Sequence, residues 1–100
     1  MLIVSGIIEL NPSAREEFLA LRKDQVLGTL EEAGCIEYAF SADLVDPGRV
    51  RIFEMWEDDA ALTAHLGALA GNQTPMPDHF GVTSVTLLRH EVASSGPLGV

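Results

Sequence analysis

Most signatures of a declared chemistry are missing from this chain. It holds one cysteine, Cys35, so no disulfide can close within it. That cysteine and the three histidines show no zinc-like spacing, and no metal is expected. Basic residues are scarce, six against fifteen acidic ones, for a net charge of −9. Arg15, Arg22, Lys23, Arg49, Arg51 and Arg89 form no block, which argues against nucleic acid and against an anionic membrane surface. No apolar run reaches the roughly 18 residues of a membrane span. No basic region precedes the apolar N-terminal stretch, so no signal peptide is read, and with one free thiol the expected location is the cytoplasm. GxGxxG, Walker A and GxSxG loops are all lacking, so no cofactor is expected to be bound by such a loop.

What is present is apolar: 47% of 100 residues, enough for one small domain and too much for a disordered tail. Residues 2–10 (LIVSGIIEL) read as a strand, ended by Asn11-Pro12-Ser13. Asn11 or Ser13 is placed to cap a helix over 13–33, with Glu16 and Glu17 at its positive end. Within that helix Ala14, Phe18 and Leu21 share a stripe, and Leu19, Val26, Leu30 and Ala33 an adjoining one; Gly34 stops it. Residues 35–44 alternate, with Ile36, Tyr38, Phe40 and Ala42 on one face. Asp46-Pro47-Gly48 turns the chain into a third strand over 49–57. Asp58 or Asp59 caps a second helix over 60–70, and a loop over 71–78 leads past a short helical turn near His79 to a last strand over 82–92. Residues 1–92 are thus read as one domain and 93–100 as a flexible tail.

The order β-α-β-β-α-β predicts an α+β, ferredoxin-like fold: a four-stranded antiparallel sheet with two helices on one face. Both sheet faces carry apolar residues. Val50, Ile52 and Trp56 oppose Phe53 and Met55; Ile3 and Ile7 oppose Val4 and Ile8; Val85 and Leu87 oppose Val82 and Leu88. Two helices cover one face, and a bare apolar face is unusual for a monomer, so a homodimer through the sheet is expected.

Glu54 to His65 (EMWEDDAALTAH) resembles the antibiotic biosynthesis monooxygenase-like family of dimeric α+β barrels: Glu54, the aromatic Trp56, the acidic helix start Asp58-Asp59, then His65 on the second helix. Glu32-Ala33-Gly34-Cys35-Ile36-Glu37-Tyr38 is similar to the family's Gly-Cys segment, and Asn11-Pro12 with Phe18 to its first strand-to-helix junction. The resemblance implies a homodimer with a small apolar pocket between sheet and helices. It implies either a cofactor-independent monooxygenase of a small hydroxylated aromatic, quinol or polyketide-like substrate, or a non-catalytic ligand-binding or stress-related dimer. Two departures stand out. The second His that several enzymatic members carry is missing from Gly67-Ala68-Leu69-Ala70-Gly71, and the segment before strand four is short, so the third helix of many members is truncated or absent; the Asn and Trp of haem-degrading relatives are also absent, which disfavours haem degradation.

Within this frame His65 and Glu54 are the expected catalytic pair. A histidine near its ordinary pKa of ~6.5 can take a phenolic proton at neutral pH. A carboxylate inside an apolar strand needs a partner, and Glu54 is expected to pair with His65, which it would orient, with Arg51 or Arg89, or with a helix-end N–H. Trp56 and Tyr38 are the expected pocket walls, and His79 with Phe80 a candidate lid. Cys35 reads as a small hydrophobe, and the acidic pairs Glu16-Glu17 and Glu31-Glu32 as solvated helix ends.

Overall fold

The computed structural model describes residues 1–72 and 76–99. Strand β1 (Leu2–Glu9) leads through a 3-10 turn (Pro12–Ala14) into helix α1 (Arg15–Leu30). Strands β2 (Cys35–Ala42) and β3 (Arg49–Trp56) form a hairpin, followed by helix α2 (Asp59–Gly71). A second 3-10 turn (Asp78–Phe80) precedes strand β4 (Ser84–Glu91), which starts two residues later than its composition suggested and leaves Val82 outside. The expected loop over 71–78 falls partly on residues 73–75, outside the described residues. Residues 93–99 are exposed and carry no regular structure. The sheet order is β2-β3-β1-β4, antiparallel throughout, which is the ferredoxin-like arrangement.

Caps decide where the helices start. Asn11 Oδ1 accepts the Ser13 N–H at 3.3 Å and caps the 3-10 turn, whereas α1 itself starts after Ala14 with no side-chain cap, so neither Asn11 nor Ser13 caps α1 directly. Asp58 Oδ1 accepts the Ala61 N–H at 2.9 Å and starts α2. Registers then align rows of side chains on the helix-covered face. Tyr38, Glu54, Val4 and Arg89 form one row, and Phe40, Ile52, Gly6 and Leu87 the next. A register shift between Cys35 and Glu37 bulges Ile36 out of the ladder, leaving it 43% exposed instead of aligned with Tyr38.

The core has two parts. Ile8, Leu10, Phe18, Val50, Ile52 and Phe80 fill one; Leu2, Val4, Tyr38, Trp56 and Leu62 fill the other. The inward face of α1 is not the all-apolar stripe expected: Leu21 and Leu30 are exposed, and Thr29 is buried. At helical spacing Ala14, Phe18, Arg22, Gln25 and Thr29 fall along the inner side, so polar side chains replace leucines there. On the helix-free face Phe53 and Leu88 remain open to solvent.

The turn between α1 and β2 depends on Gly34. Its φ is +82°, and an added Cβ would lie 2.5 Å from the Ala61 Cβ of α2. Its carbonyl accepts the Glu57 N–H at 2.8 Å, tying this turn to the β3–α2 junction. Gly34→Ala is therefore expected to lose at least about 1–2 kcal/mol from the left-handed backbone alone, plus the clash. In urea denaturation the double variant Gly34→Ala/Ala61→Gly should recover only the clash part; simple additivity of the two substitutions would count against direct contact.

Candidate functional site

The second core holds a polar cluster. His65 points inward from the middle of α2 and is 2% exposed. Its Nδ1 lies 2.8 Å from Glu32 Oε2, in the turn after α1. Its Nε2 is buried and has no hydrogen-bond partner among the described residues. The imidazole packs against the Trp56 ring (centroids 4.7 Å apart) and edge-on against Tyr38 (5.2 Å). Trp56 Nε1 donates to Glu54 Oε1 at 3.0 Å, and Gln25 Nε2 donates to the Tyr38 hydroxyl at 2.8 Å.

The partners differ from those expected. Glu54 bonds Trp56, not His65, because alternate residues of one strand share a face and the indole N–H is the nearer donor. Arg51 is on the opposite face, paired with Asp43, and Arg89 is two strands away, paired with Asp59. Glu32 holds the imidazole instead. It is not the solvated helix end its charge suggested; the Gly34 turn folds it back over α2. Gln25 was also overlooked, since a polar residue in mid-helix carries no signal of facing inward. His79 and Phe80 fall outside the cluster. His79 makes an exposed pair with Glu17, and Phe80 is fully buried against Phe18 in the other part of the core.

Burial sets the proton affinities. It pushes the Glu54 carboxyl above the ordinary value; the Trp56 hydrogen bond and the nearby His65 oppose this. Burial first, and then the Glu54 charge, push the Tyr38 phenol up to about 12. Burial likewise raises the Cys35 thiol, with Glu32 and Glu54 adding to it, so it is no ready nucleophile. Two cavities adjoin the cluster. One, of about 180 Å³, lies between α2 and β4, with Val4, Glu54, Leu62, Leu66, Leu87 and Arg89 among its walls. The other is a groove of about 390 Å³ between α1 and β2, reaching Tyr38. His65 lines neither. Among the described residues no group of His, Cys, Asp and Glu is placed to hold a metal ion, and no helix is long and apolar enough to cross a membrane.

Comparison with known proteins bears on the family and the fold. The family described as antibiotic biosynthesis monooxygenase matches residues 1–80. An uncharacterized protein of Synechocystis is 34% identical over 87 residues; the match covers 87% of this chain but 55% of that protein, so the chain spans about half its relative's length. The fold is similar to a crystal structure assigned as an antibiotic biosynthesis monooxygenase from Deinococcus radiodurans, with a TM-score of 0.78, 23% identity and 98% of each chain covered. It is also similar to the haem degrader of Mycobacterium tuberculosis, solved with two haems in its active site: TM-score 0.75, 18% identity, 97% and 100% covered. At such identities the structural likeness is one of fold. Haem does not fit the cluster described above, because His65 is packed between Trp56 and Tyr38 and lines neither adjoining cavity.

Tyr38 is the only tyrosine, so its ionisation can be followed alone. Absorbance titration should show one transition near 12, and Glu54→Gln should lower it by removing the neighbouring charge. Since the folded value lies above the ordinary 10, this group's contribution to stability is complete below pH 10 and is lost as pH rises through about 12. A transition at the ordinary value would place Tyr38 in water.

Proposed function

We propose, from the premise that this chain belongs to the antibiotic biosynthesis monooxygenase family, that it is a homodimeric, cofactor-independent monooxygenase of a small hydroxylated aromatic, quinol or polyketide-like substrate. The observation that carries this reading is His65: a buried imidazole with one nitrogen held by a carboxylate and the other unpartnered. Glu32 keeps the proton on Nδ1, which leaves the Nε2 lone pair as acceptor. In this mechanism Nε2 takes the proton of the substrate hydroxyl, and the resulting oxyanion passes electrons to dioxygen. For an anthrone-like substrate a CH₂ becomes C=O, one oxygen atom enters the product and the other leaves as water. The four electrons come from the substrate, so no further reductant is consumed. Trp56 and Tyr38 wall the reacting ring, and Glu54, whose neutral form burial favours, orients the substrate from the cavity beside α2.

A second reading, a non-catalytic ligand-binding dimer, is favoured by one observation: His65 lines neither of the two cavities beside the cluster. Entry of a substrate hydroxyl to Nε2 requires Trp56 or Tyr38 to shift. Oxygen uptake with a panel of quinols and anthrones separates the two. The first reading expects wild-type turnover, a loss of roughly 10²–10⁴-fold in His65→Ala, and a smaller loss in Glu32→Gln. No uptake by the wild type with any of them, alongside retained ligand binding, would establish the second.

The dimer is proposed to form through the helix-free sheet face. Ile3, Ile7, Phe53, Met55 and Leu88 share that face, which also holds a shallow depression of about 380 Å³. Light scattering at micromolar concentration should give twice the chain mass of 10.7 kDa. Phe53→Glu/Leu88→Glu should give the single mass with the fold retained, and a monomeric wild type would sink the proposal.

A further inference from the structure

The groove between α1 and β2 carries a charge pattern that the reading above does not use. Arg15, Arg49, Arg51 and Arg89 are each engaged by carbonyls or carboxylates. Arg22 and Lys23 lack a carboxylate: Arg22 donates to the Gln25 amide oxygen, and among the described residues no carboxylate lies within 4 Å of either. Their helical neighbours explain this. Three and four residues away stand Phe18, Leu19, Ala20, Gln25, Val26 and Leu27, none of them acidic. In a chain of net charge −9, two adjacent cations without an acidic partner are conspicuous.

Both cations line the groove, and the rest of its wall is largely apolar, including Leu19, Val26, Leu27 and Phe40. Arg22 is already oriented. Its guanidinium stacks 5.0 Å above the Phe18 ring centre, and Nη1 donates to Gln25 Oε1 at 3.0 Å. Its Nε is buried without an acceptor. A carboxylate is the charge-assisted acceptor for the guanidinium N–H groups that Gln25 leaves unused. The groove volume of about 390 Å³ is within the range of small-molecule sites, ~300–1,000 Å³.

We infer that this groove binds a small molecule with an apolar body and a single carboxylate, the body lying along α1 and β2 and the carboxylate on Arg22 and Lys23. An inorganic anion would leave the apolar wall wet, and a neutral apolar molecule would leave the two cations unanswered. The groove shares the Tyr38 wall with the reaction proposed for His65 but is not lined by His65 itself, so His65→Ala should still bind the same molecule.

Calorimetry with decanoate, decanol and decyltrimethylammonium tests the inference. Decanoate should bind one per chain, roughly tenfold or more tighter than decanol, and the cation should bind no better than decanol. Arg22→Gln/Lys23→Gln should bring decanoate down to the level of decanol while leaving the circular dichroism spectrum of the folded chain unchanged. Amide shifts on decanoate addition should centre on Val26 and Phe40. Equal affinity for decanoate and decanol, undiminished binding by the double variant, shifts centred on Leu62 and Leu87, or a change of mass in place of one-to-one binding would each overturn it.

Discussion

A histidine side chain buried in the middle of a small core has to find a hydrogen-bond partner for at least one ring nitrogen, or its burial is costly. Here Glu32 supplies that partner at 2.8 Å from the turn between α1 and β2, outside any strand or helix. The turn keeps its shape because Gly34 accepts a left-handed backbone, packs closely on Ala61 and bonds Glu57. One contact thus fastens the end of α1, the start of β2 and the middle of α2. It also leaves the Nε2 of His65 buried with no hydrogen-bond partner among the described residues. The chemistry proposed for the chain depends on that atom, and the atom's availability depends on the turn.

Around this contact the polar groups are arranged in series. Trp56 satisfies Glu54, and Gln25 satisfies Tyr38. Low local polarity makes each such bond stronger and each missing one costlier. It also raises the proton affinity of both Glu54 and Tyr38, so burial favours their uncharged forms. A ring path continues outward from Tyr38 through Phe40 and Phe18 to Phe80, with centroid separations of 5.6, 6.2 and 6.0 Å. The two parts of the core are therefore mechanically continuous, although the chemistry lies in only one.

Charge is distributed by the same economy of space. Most of the cations are used to hold turns and sheet edges: Arg15 on the carbonyls of the β2–β3 connection, Arg49 on Glu9, Arg51 on Asp43. Helix α1 differs, since its inner side presents Arg22 and Gln25 where leucines would have made a tighter seam. The groove beside it follows from that substitution of polar for apolar groups.

Strand and helix order, the α+β fold, the capping segments and the apolar character of both sheet faces were legible in the sequence. They follow from period-two and helical patterning, which act locally. His65, Trp56, Tyr38 and Glu54 were legible as a set because β3 and α2 are consecutive and alternation puts Glu54 and Trp56 on one face. Their pairing was not. Glu32 lies 33 residues from His65, and its side chain looks like any other acidic helix end until Gly34 reverses the chain. The outward placement of Leu21, the inward placement of Gln25 and Thr29, and the distance of Phe80 from the cluster were equally invisible. Each depends on how α1 is rotated against the sheet, and that rotation is set by packing between segments far apart in the chain. Composition determined which groups this protein has to bury; only the tertiary structure decided which of them answer one another.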